Sequence, residues 1–82
     1  MKIGDKLRKV LEKKYAPEST LPMEFGKYDL TIKTDPEGNP VLLFIGTRGE
    51  DEKIVGYKFV RTLIKGEDGK MIKDHWDNHG KL

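Results

Sequence analysis

Two hydrophobic periods divide the chain. Near its start, Ile3, Leu7, Val10, Leu11 and Tyr15 recur at helical spacing, forming one apolar stripe. Lys2, Lys6, Arg8, Lys9, Lys13 and Lys14 fill the intervening positions, and Asp5 stands where a helix dipole favours an anion. Pro17 pushes the residue before it towards extended geometry, so the helix is expected over residues 1–16. Residues 17–23 hold two prolines, a serine and a threonine, and read as a connector.

From Glu24 the period becomes two. Tyr28, Leu30 and Ile32 alternate with Asp29, Thr31 and Lys33, the pattern of a half-buried strand, with Gly26 a candidate bulge between it and Phe25. Asp35-Pro36-Glu37-Gly38-Asn39 is a turn, because Pro36 fixes its own φ and Gly38 tolerates a positive one. Residues 41–45 are apolar throughout, residues 54–65 form the longest strand candidate, and Gly66-Glu67-Asp68-Gly69 closes a hairpin onto a last strand ending near Trp76. Asp77-Asn78-His79-Gly80 reads as turn chemistry.

A helix followed by strands on short loops predicts an α+β fold: an N-terminal amphipathic helix packed on a four-stranded antiparallel meander. Residues 1–82 are expected to form one small domain, with helix 1–16, connector 17–23, meander 24–77 and tail 78–82.

The long strand sends Val55, Tyr57, Phe59 and Leu63 to the face that suits the helix stripe, and Ile54, Lys58, Val60, Thr62 and Ile64 to the other. One short helix cannot cover both. Either the sheet curls and buries its outer face, or a second copy or another protein covers it. Phe44, Val60, Ile64, Ile72 and Trp76 are the expected partner-binding residues, and an edge strand offers the alternative surface. Arg61 falls among the core-facing positions; its stem can lie on apolar surface while its head meets Asp29 or Asp74, or an external anion.

Charge adds little to this picture. Sixteen Lys and Arg stand against fourteen Asp and Glu, a net +2, which argues against a polyelectrolyte tail. The basic helix face still supports a second reading, a weak salt-sensitive nucleic-acid binder using Lys6, Lys9, Lys13 and Arg61. The chain has no cysteine, which excludes thiolate metal sites, disulfides and a Cys nucleophile. Ser19 is the only serine, no glycine-rich phosphate loop has the required spacing, and no enzyme activity or cofactor is expected. His75 and His79 with Asp74 and Asp77 are too poorly preorganised for a metal, so none is expected. No apolar run spans a membrane and no signal-like core follows Met1, so a cytoplasmic location without membrane contact is expected. The reading is a non-enzymatic interaction module that self-associates or binds a protein.

Overall fold

The computed structural model describes residues 3–82, so the first two residues of the expected 1–16 helix lie outside it. The helix α1 runs over Asp5–Glu12, with Leu7 and Leu11 buried and Ile3 and Val10 partly buried beside them. It is shorter than its apolar stripe. Lys13 is already extended at φ −72° and ψ 155°, four residues before Pro17, so proline is not what stops it. Tertiary hydrogen bonds take over instead. The Tyr15 hydroxyl donates back to the Val10 carbonyl at 2.8 Å, and the Tyr15 amide donates to the Gly38 carbonyl at 2.9 Å. The Arg61 guanidinium donates to the Leu11 carbonyl at 3.1 Å. The carbonyls of Val10 and Leu11, which the helix end leaves unpaired, therefore find side-chain donors beyond the helix.

The expected connector contains a strand. β1 covers Thr20–Phe25, and Leu21, Met23 and Phe25 alternate towards the core side while Thr20, Pro22 and Glu24 are exposed. Pro22 disguises the alternation, yet on an edge strand a missing N–H can face away from the sheet. Thr34 anchors the approach to this strand: its hydroxyl donates to the Ala16 carbonyl at 2.7 Å and accepts the Ser19 amide at 2.8 Å. Gly26 is not a bulge. With φ 58° it takes the first central position of a two-residue hairpin loop, and Phe25 pairs directly with Tyr28.

β2 (Tyr28–Thr34), β3 (Pro40–Arg48), β4 (Ile54–Lys65) and β5 (Met71–Lys81) follow as antiparallel neighbours. The sheet thus has five strands in sequence order, not four. The turn at residues 35–39 forms as expected, with Gly38 at φ 85°. A side chain on Gly38 would fall on the Tyr15 carbonyl oxygen, so this glycine also makes room for the chain leaving α1.

Of the expected 78–82 tail, residues 78–81 are sheet. β5 continues through Asp77-Asn78-His79-Gly80 to Lys81, and the Leu82 amide donates to the Gly56 carbonyl at 2.8 Å. Turn chemistry is present, but it makes a bulge. Phe59 pairs with Asn78 and Tyr57 with Lys81, so the segment holding Gly80, at φ 86°, carries an extra residue within the ladder.

The core lies between α1 and one sheet face. Leu7 and Leu11 pack with Leu30, Ile32, Leu43, Ile45 and Phe59, and Tyr57 and Trp76 close its margin. Fully burying a side chain of this kind contributes about 1.5–3 kcal/mol. Val55, expected beneath the helix, remains 69% exposed because it lies beyond the helix's reach.

Candidate interaction surface

Pairing register assigns each residue to a face. Opposite the helix, one row runs Lys33, Leu42, Val60 and Asp77, and the next runs Thr31, Phe44 and Lys58. Phe44 and Val60 therefore lie on the outer face, which alternation implied for Val60 and left open between two parities for residues 41–45, but both are half-buried. Nearby the two strands approach closely. Gly46 pairs with Gly56, and a side chain on either would fall on a carbonyl oxygen of the facing strand. This close approach leaves no room for a Cβ on either residue. Beyond it Ile54 is buried, and with Phe44, Thr31, Lys33 and Leu82 it lines a shallow groove of about 430 Å³.

Apolar exposure gathers elsewhere, at the tip of the β4–β5 hairpin. Ile64 is 45% exposed, Met71 44% and Ile72 71%. The cause is topological. β3 pairs with β4 as far as Leu42 and Val60, so the hairpin runs on beyond the strand that flanks it, in a molecule 45 Å long and 24 by 21 Å across. Near its end, the Lys65 ammonium meets Glu37 at 2.8 Å. A two-stranded ribbon is marginal without further packing, which makes these exposed side chains unusual. Ile72 sits at a register shift, between the pairs Ile64–Lys73 and Lys65–Met71, and its side chain lies beside Gly66.

Trp76 does not join the outer face. It pairs with Arg61 on the helix side, half-buried, with the guanidinium carbon 5.6 Å from its ring centroid. The parity shared by Ile72 and Trp76 loses its meaning at the bulge beside Ile72.

Arg61 is a structural tie. Its Nε and Nη2 donate to the two carboxylate oxygens of Asp74 at 2.6 and 2.7 Å, and Nη1 donates to the carbonyls of Leu11 and Pro40. These hydrogen bonds hold the Asp74 carboxyl below its ordinary pKa, against the opposing effect of burial. The Arg61 side chain is only 8% exposed, so it does not present a charge to phosphate. Of the residues named for nucleic-acid contact, Lys6, Lys9 and Lys13 are exposed along α1 and just after it, and Arg61 is not with them.

The two sheet edges differ. β1 carries Pro22. β5 has no proline and is exposed at every residue except Trp76 and Gly80, which are half-buried. On its outer face His75 contacts Asp77 at 2.8 Å, while Asp74 points to the helix side, so the histidine–aspartate cluster is divided between faces. Among the described residues no group of three or more His, Cys, Asp or Glu side chains could hold a metal ion. No helix among them is long and apolar enough to cross a membrane.

Met71, Lys73 and the outer rim of β5 escaped the sequence reading. Exposure at Met71 depends on where β3 ends, which no local pattern records. The edge was underestimated because Asn78 and Gly80 look like a turn. No family model, curated protein or solved structure matches the chain, so its surface is interpreted from its own geometry.

Proposed function

We propose that this chain is a non-enzymatic interaction module that engages a protein, a second copy included, through the outer edge of β5 and the apolar tip of its hairpin. One observation carries the reading: the long edge strand is open to solvent along its length and ends beside Ile64, Met71 and Ile72, all exposed. Unpaired edge amides and carbonyls are the template for strand addition, and exposed branched side chains beside them supply apolar contact. The outer-face residues Phe44 and Val60 are a lesser part of the surface, because both are half-buried.

Light scattering across a concentration series, at low and high salt, tests the reading. An assembly larger than the monomer that persists at high salt is expected, with Ile64→Lys/Ile72→Lys weakening it. If the double variant keeps a native circular dichroism spectrum and every association of the parent, the reading is wrong.

A further inference from the structure

We infer that a second copy of this chain pairs antiparallel along β5, with the two-fold axis at His75. The inference rests on β5 being the docking edge and names its occupant. Pro22 removes an amide from β1, so β5 meeting β5 is favoured over β5 meeting β1. The result is a closed two-fold pair, not an open run of sheets.

Geometry narrows the register. Residues paired across such an axis point to the same face, so the axis must pass through a residue. Register shifts lie at Ile72 and in the segment holding Gly80, and between them Lys73 to Asn78 pairs regularly with β4. Within that stretch, axes at His75 and Trp76 retain the most paired residues. Charge separates them. An axis at Trp76 sets Asp74 opposite Asn78 and His75 opposite Asp77 and leaves Lys73 outside the regular stretch. An axis at His75 sets Lys73 of each copy opposite Asp77 of the other, two pairs of full opposite charges. Axes at Asp74 or Asp77 place a carboxylate against its own image, which is repulsive.

Neither Lys73 nor Asp77 has a charged neighbour opposite it on β4, where they face Ile64 and Val60. Within the chain Asp77 meets the exposed His75 imidazole at 2.8 Å, so Asp77→Lys also removes that contact, and restoration by the double exchange is what isolates the contact between copies. Sedimentation and light scattering would compare the parent with three variants. Lys73→Asp alone and Asp77→Lys alone should each raise the dimer Kd by about tenfold. Lys73→Asp/Asp77→Lys in one chain should restore it, and an equimolar mixture of the two single variants should form a heterodimer. The cysteine-free sequence permits a register test. His75→Cys puts two thiols on the axis, within disulfide reach, and should cross-link on mild oxidation. Thr62→Cys, one strand further in, should not.

A parent chain that is monomeric throughout overturns the second copy and leaves the edge to a different protein. A dimer indifferent to the charge exchange and to His75→Cys also overturns this pairing. If that dimer is indifferent to Ile64→Lys/Ile72→Lys as well, the broader reading of the surface falls with it.

Discussion

The two halves of β4 share one strand and live in different surroundings. In the proximal half, Tyr57 and Phe59 lie in or against the core under α1, between β3 on one side and β5 on the other. In the distal half, Ile64 has β5 but no strand of β3 beside it, and it stays 45% exposed. Hydrophobicity does not distinguish Ile64 from Ile54, which is buried at the opposite end of the same strand. The cover over the face does: each is paired on one side only, Ile54 with Arg48 of β3 and Ile64 with Lys73 of β5, but Ile54 also lies in the groove with Phe44, Thr31 and Leu82. An apolar side chain in a sheet is buried only where neighbours enclose its face, whatever its own hydrophobicity.

Four measurements would break or sharpen that contrast. The largest effect belongs to the proximal side. Leu11→Ala, at a fully buried position, should cost about 2–5 kcal/mol in urea denaturation, enough to threaten a domain of this size. Next comes the tie between the halves. Arg61→Met keeps much of the apolar stem but leaves the Leu11 and Pro40 carbonyls without that donor, and should cost about 1.5–3 kcal/mol. A loss below a few tenths would show that the guanidinium only decorates the surface.

Acid should act through the same tie. Hydrogen bonds from Arg61 depress the Asp74 carboxyl in the folded state. At Asp35, burial pushes the pKa up, but amide donors from Asn39, Glu37 and Gly38 together with the Asn39 side chain outweigh it. A carboxyl depressed by folding contributes full stability above its ordinary value of 3.8 and loses it as the pH falls through the lower folded value. Stability should therefore decline below about pH 4, and Asp74→Asn should make that decline shallower in denaturation curves recorded at successive pH values. The smallest effect is expected at the tip. Ile64→Lys/Ile72→Lys should change monomer stability by no more than about 0.5 kcal/mol per site, since both side chains already meet solvent. A large loss of stability would mean the ribbon is held within the monomer.

Much of the architecture was legible in local pattern. The stripe Leu7, Val10 and Leu11 marked the helix face, Leu30 and Ile32 the inner side of β2, and Gly38 the turn. Arg61 was legible in part, because its parity placed a cation among core residues and Asp74 was one of two acids it could meet. β1 was missed, since Pro22 signals a loop until one knows that the strand lies at an edge. The candidate surface was legible only in outline. Alternation sent Val60 and Ile64 to the outer face and left the facing of Phe44 open, and it treated all three as equally exposed.

The sequence by itself determined the α+β class, the antiparallel order imposed by short loops, and the side of the sheet that α1 covers. Those features follow from periodicity and turn chemistry, which act over a few residues. Tertiary structure decided where α1 ends, that residues 78–81 belong to β5, that Trp76 lies on the helix side, and which apolar residues face water. Each depends on groups distant along the chain: the Leu11 carbonyl on Arg61, Asn78 on Phe59, Ile64 on the point at which β3 departs. Hydrogen bonds and enclosure are satisfied in space, and the nearest partner in space need not be near in sequence.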